Sequence, residues 1–271
     1  MHKNFIYLLI LFTASAHAFA EAKIDISKYK IIEAQLKPGF RKSKKSFLKN
    51  TNETELYNWS GYAALTNLTN PAVNSVTHVT GSWIVPKLIP TKNDTHSATW
   101  VGIDGFASPT VQQIGTEQDW IKGKQTNFAW FEMYPDNIFH IINFGVNSGD
   151  LITASVQYAG HSTFILSITN HTQKLHTVIP PKFTKSSVAK RSSAEWIMEA
   201  ILGKEVLPLA NFNQINFYNC TATINKVSGP INNKTWQNQK VIMITKKFIP
   251  KAIPSDLTCG GKNFNVVWKH E

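Results

Sequence analysis

The side chains with the most chemical potential in this sequence are acids and amides set inside dense aromatic and apolar runs. Trp100-Val101-Gly102-Ile103-Asp104-Gly105 ends an apolar run on an acid, followed by the turn-favouring Asp-Gly. Val111-Gln112-Gln113-Ile114-Gly115 carries uncharged carboxamides in a β-branched run, and Ala129-Trp130-Phe131-Glu132-Met133-Tyr134-Pro135 embeds Glu132 among aromatics. Ala194-Glu195-Trp196-Ile197-Met198-Glu199 holds two acids. Burying a lone carboxylate is costly, so each acid needs a hydrogen-bond donor, a wet groove or a raised pKa. A carboxyl group can take a proton from water and later return it to a leaving amine, while a carboxamide beside it donates N–H to a developing oxyanion at any pH. Two carboxyls such as Asp104 and Glu132 could instead cleave a glycosidic bond if they stood roughly 5–9.5 Å apart. Taken singly, each residue also has an ordinary explanation: Asp104 holds a turn, and Gln113, Glu132, Glu195 and Glu199 face solvent.

Other catalytic devices are missing from the sequence. There is no GxSxG elbow, HExxH, CxxC pair, GxxxxGK[ST] loop or GxGxxG. His78, His96, His140, His161, His171 and His176 are scattered without ligand-like spacing, so neither a metal nor a cofactor is expected. Cys220 has no basic neighbour to lower its pKa, which argues against a thiolate nucleophile. Cys220 and Cys259 are the only cysteines, and in an oxidising compartment one bridge between them is the simplest expectation. Seven Asn-x-Ser/Thr triplets, including Asn58-Trp59-Ser60, would accept glycans in a eukaryotic secretory route or arise by chance in so Asn- and Thr-rich a chain.

These residues must be positioned by strands. Twelve runs rich in β-branched and aromatic residues lie between Trp59 and Trp268, separated by Asn, Gly, Pro and Ser, and no three-turn amphipathic helix falls between them. That pattern predicts an all-β, antiparallel double-sheet β-sandwich of the lectin-like jelly-roll kind rather than a parallel βαβ sheet. Ala194–Leu202 is compatible with a helix, but its alternation also fits a strand that puts Glu195, Ile197 and Glu199 on one face and Trp196 and Met198 on the other. With 42% hydrophobic and 11% aromatic residues among 271, the chain can bury a large core.

The N-terminus reads as a signal peptide over residues 1–20: Lys3, an apolar stretch from Phe5 to Phe12, and small residues around Ala16-His17-Ala18 and Ala18-Phe19-Ala20. Export to the outside follows, with no later run long enough to span a membrane. Residues 21–52 form a Lys-rich leader, either a pro-segment attracted to an acidic cleft or a basic linker, and residues 53–271 form the sandwich domain. The net charge of +11 is spread out or lies in this leader, which argues against a nucleic-acid partner.

Read in order, the segments Asn58-Trp59-Ser60-Gly61-Tyr62, Gly81-Ser82-Trp83-Ile84-Val85-Pro86, Trp100 to Gly105, Gln113-Ile114-Gly115, Ala129 to Pro135, Ser148-Gly149-Asp150 and Ala194 to Glu199 resemble the glutamic peptidases, the eqolisin family. The resemblance implies an acid-working endopeptidase on protein or peptide substrates, without metal or cofactor; a monomer is expected. It also implies catalysis by Gln113 and Glu199, with Trp100, Asp104 and Glu132 supporting the substrate cleft. Glu195 shares a face with Glu199 and is the alternative acid. Phe106-Ala107-Ser108-Pro109-Thr110 replaces the family's glycine-rich turn, and the positive charge departs from the family's acidic surface. A non-catalytic carbohydrate-binding sandwich and a two-carboxylate glycoside hydrolase remain as other readings.

Overall fold

The computed structural model describes residues 30–33, 46–47 and 53–271. The signal segment, residues 1–20, and most of the leader lie outside the described residues. In chain order the strands are β1 (Lys30–Glu33), β2 (Ser46–Phe47), β3 (Glu53–Leu56), β4 (Trp59–Leu65), β5 (Val76–Ile84) and β6 (Thr95–Ile103). There follow β7 (Val111–Ile121), β8 (Lys124–Tyr134), β9 (Ile138–Ile142), β10 (Leu151–Gly160), β11 (Thr163–Asn170) and β12 (Leu175–Val178). The last are β13 (Ala194–Glu199), β14 (Gln214–Ile224), β15 (Val227–Pro230), β16 (Gln237–Ile244), β17 (Pro250–Pro254) and β18 (Phe264–Trp268). No helix among the described residues is long and apolar enough to cross a membrane.

The first sheet runs β2-β3-β16-β4-β13-β6-β7-β8-β9-β1, antiparallel apart from β3 with β16. The second is built on β14-β5-β10-β11-β12, with β15 and β18 also pairing with β14. The pairings β16–β17 and β17–β18 carry the chain from one sheet to the other along a seam. This is the antiparallel double-sheet sandwich that the strand pattern predicts.

Alternation decides what each face buries. Trp83, Trp196, Met198, Phe131, Leu166 and Phe217 belong to the main core. Trp59, Ala98, Trp100, Trp130 and Ile197 belong to a second apolar cluster on the other face of the first sheet. Central strands β4, β6 and β13 are therefore buried on both faces. β11 alternates between buried and more exposed positions, as a strand with one wet face does. The Ala194–Leu202 segment is a strand up to Glu199, with the two faces expected from its sequence.

The cysteines differ from expectation: both are unbonded, Cys220 buried in the core from β14 and Cys259 exposed in a turn. The stretches β1 and β2, in the basic leader, pair with β9 and β3 at the two edges of the first sheet.

Candidate active site

Three cross-strand rows on the second-cluster face of the first sheet hold the candidate residues. One row reads Glu195, Gly102, Gln113, Glu132 across β13, β6, β7 and β8. The next reads Ile197, Trp100, Gly115, Trp130, and the third reads Glu199, Ala98, Glu117, Phe128. Period-two alternation puts every one of these side chains on the same face. Trp100 is the one large side chain in the middle of this lattice on β6. Its space is made by glycine: a Cβ on Gly102 would lie 2.9 Å from the indole ring, and one on Gly115 would collide with the Thr99 carbonyl and Trp100.

Glu199 is buried, 2% exposed, and both carboxyl oxygens are occupied. Asn58 Nδ2 donates to Oε1 at 3.0 Å and Trp100 Nε1 donates to Oε2 at 2.7 Å. Desolvation pushes the Glu199 pKa up to about 8, against the hydrogen bonding of Trp59, Trp100 and Asn58, which favours the charged form. The Trp59 indole faces the same carboxyl, although its N–H falls short of full hydrogen-bond geometry. Trp59 and Trp100 meet edge-on with centroids 4.9 Å apart, so two indoles wall the acid.

Gln113, 3% exposed, donates from Nε2 to Glu132 Oε2 at 2.6 Å, while its Oε1 is buried with no protein partner. Burial raises the Glu132 pKa well above the usual carboxyl range, the Gln113 hydrogen bond opposes this, and the charges of Glu199 and Asp136 add to the rise. Glu132 thus lies within electrostatic reach of Glu199 and holds Gln113 directly. Gln113 and Glu199 share the face but are not hydrogen-bonded to each other.

The remaining sequence-predicted residues sit differently. Asp104 is fully buried in the β6–β7 turn with φ of 70°, accepting from the N–H groups of Arg191 and Ser192 at 2.7 and 2.9 Å and from Ser192 Oγ at 2.9 Å. It ties that turn to the segment leading into β13, the turn-holding role composition favoured. Glu195 shares Gln113's row across the bare Gly102, and its Oε1 receives the Phe106 N–H at 3.4 Å.

Sequence reasoning missed two contributors. In the sequence Asn58 is only part of a motif, whereas in the fold it immediately precedes β4, which lies beside β13 and brings it to Glu199. Glu117 shares parity with Gln113 on β7, which was the available signal, and it sits buried beside Asp119.

One face of an antiparallel two-sheet sandwich thus gathers buried carboxyls, a carboxamide and two indoles that wall Glu199. The chain belongs to the Peptidase A4 family, whose signature spans residues 57–248. It is 26% identical over 194 residues to aspergillopepsin-2 of Aspergillus niger, an alignment covering 64% of this chain and 66% of that protein. The chain thus matches just under two thirds of that relative's length. Its fold matches scytalido-glutamic peptidase crystallised with a transition-state analogue inhibitor, with a TM-score of 0.64 and 22% identity over 79% of this chain and 98% of the other. It also matches SCP-B, an eqolisin-family peptidase in complex with the tripeptide Ala-Ile-His, with a TM-score of 0.61 and 20% identity over 79% and 98%.

Proposed function

We propose that this protein is a glutamic endopeptidase, made with a signal peptide (residues 1–20) and a leader (residues 21–52), and exported to act on proteins or peptides. The observation that carries the reading is the buried Glu199, held by two neutral donors and no cation, on the same sheet face as an oriented Gln113.

Glu199 removes a proton from water as the water oxygen attacks the scissile carbonyl carbon, then passes that proton to the leaving nitrogen as the C–N bond breaks. Gln113 has one N–H fixed on Glu132, which leaves the second N–H for the oxyanion and the unpartnered Oε1 for the attacking water. Glu132 is a positioning residue: with its oxygen fixed on Nε2, the amide cannot flip without losing that bond. The hydrogen bonds from Asn58 and Trp100 favour the carboxylate that takes the proton, and they oppose the burial that holds the Glu199 pKa up at about 8. Trp100 orients the carboxyl, and Asp104 fixes the turn between the two strands that carry Trp100 and Gln113.

Cleavage of a denatured protein between pH 2 and 7, with pepstatin present, tests this. Wild type cleaves, Glu199→Gln does not, and Gln113→Ala loses about a hundredfold or more in turnover, equivalent to roughly 2.7–4 kcal/mol of transition-state stabilisation. Glu195 stands in Gln113's row, so Glu195→Gln is assayed beside them. Loss with Glu195→Gln and full activity with Glu199→Gln would reassign the acid, and equal cleavage by all variants would remove the peptidase reading.

A further inference from the structure

We infer that His96, Glu117 and Asp119 form a binding site for one divalent transition-metal ion of the zinc class, spanning β6 and β7. Their spacing in sequence shows nothing of this; strand pairing makes it. His96 stands opposite Asp119 and Ala98 opposite Glu117, so all three side chains leave the same face of the two strands. One ligand atom from each, an imidazole nitrogen and two carboxylate oxygens, lies within 4.8 Å of the others. His96 Nδ1 is 2.9 Å from Asp119 Oδ1.

No lysine or arginine belongs to the constellation. Glu117 is 5% exposed and Asp119 8%, and the two carboxyls are within hydrogen-bonding reach of each other. Among the described residues neither pairs with a lysine or arginine, and Asp119 has only the His96 imidazole as a basic neighbour in contact. A divalent cation held between two such buried carboxylates offsets their mutual repulsion and satisfies oxygens that no lysine or arginine reaches.

The donor set also has the right chemistry. Zinc takes imidazole nitrogen and carboxylate oxygen at about 2.0–2.2 Å, so tetrahedral ligands stand about 3.3–3.5 Å apart, a spread this cluster brackets. His96 is rigidly held, its N–H donating to Pro208 O at 2.9 Å and its carbonyl accepting from Ala210 N at 3.0 Å. His140 on β9 lies close enough to feel the Asp119 charge and is a nearby reserve donor. Remaining coordination positions fall to water.

The test uses the purified protein stripped with a chelator at pH 7.5. Zinc is titrated by calorimetry, bound metal is counted, and cobalt(II) absorption reports the geometry. The expected result is one ion per chain and an unfolding midpoint about 5–10 °C higher at a hundredfold excess over Kd. His96→Gln and Asp119→Asn should each weaken binding at least tenfold while retaining wild-type far-UV circular dichroism, and the surface control His171→Gln should bind as wild type does. No saturable binding, or binding unaltered in both site variants, overturns the site. None of these readouts depends on peptide cleavage, so failure of the peptidase reading would leave this result standing.

Discussion

Raising the pH from 4 to 8.5 should destabilise this protein, and the largest single contribution with a defined size comes from Glu199. In the unfolded chain its carboxyl releases its proton near the ordinary 4.5, whereas in the folded protein burial holds the proton up to about 8. Between those values the folded state binds more protons than the unfolded, so stability falls as pH rises through that window and is flat outside it for this group. At 1.36 kcal/mol per pH unit the separation is on the order of 5 kcal/mol. A domain of this size shifts by roughly 2–4 °C per kcal/mol, so the Glu199 contribution amounts to roughly 10–20 °C in Tm. Glu117 and Glu132, also raised by burial, push in the same direction. The assay is thermal unfolding of wild type and Glu199→Gln across pH 4 to 8.5. Glutamine keeps the shape without titrating, so the two proteins should have similar pH responses below 4.5 and diverge above it, the variant becoming relatively more stable. Repulsion among the chain's excess positive charges acts on both and cancels in the difference. Parallel curves across the whole range would refute the reasoning.

Three further outcomes follow from named contacts. Trp100→Phe removes the indole donor to Glu199 Oε2, which favours the charged carboxylate, so the acid limb of kcat/KM should move to higher pH and stability at pH 8 should fall by about 1.5–3 kcal/mol, read from the pH profile and from denaturant unfolding. Asp104→Asn turns an acceptor of four donors into a group carrying its own N–H, and unfolding in urea should show a loss of about 3 kcal/mol with turnover per folded molecule largely retained. Since Cys220 and Cys259 are unbonded, a reducing agent should leave the unfolding midpoint unchanged, and a fall in midpoint would show a bridge.

Much of the framework is legible in the sequence because it is written in alternation. All twelve expected strands form, several extended by a residue or more, and the two faces of Ala194–Glu199 separate as period two requires. Ile138–Ile142 is an apolar run that was available in the sequence and escaped notice, whereas three other unexpected strands lack that signature. Glu53–Leu56 alternates acids and is the one parallel partner, Val227–Pro230 contains Gly and Pro, and Pro250–Pro254 is bounded by prolines at the seam. Gln113, Glu132 and Glu199 were found by residue type and ordered motifs, and the structure puts them on one face. The role of Asn58 could not be found that way, because it reaches Glu199 across 141 residues and depends on which strand lies beside which. The disulfide expectation rested on cysteine count alone, which carries no information about a thiol folded into the core from β14 while the other sits exposed.

The bare lane that Gly102 and Gly115 keep beside Trp100 has a consequence for how this gene can vary. Neither glycine offers a functional group, yet any side chain at either would shift the indole that steadies Glu199. A saturation library scored for function should therefore tolerate alanine at these two silent positions as poorly as it tolerates loss of the acid itself, while accepting wide variation at the solvent-facing sites of β11.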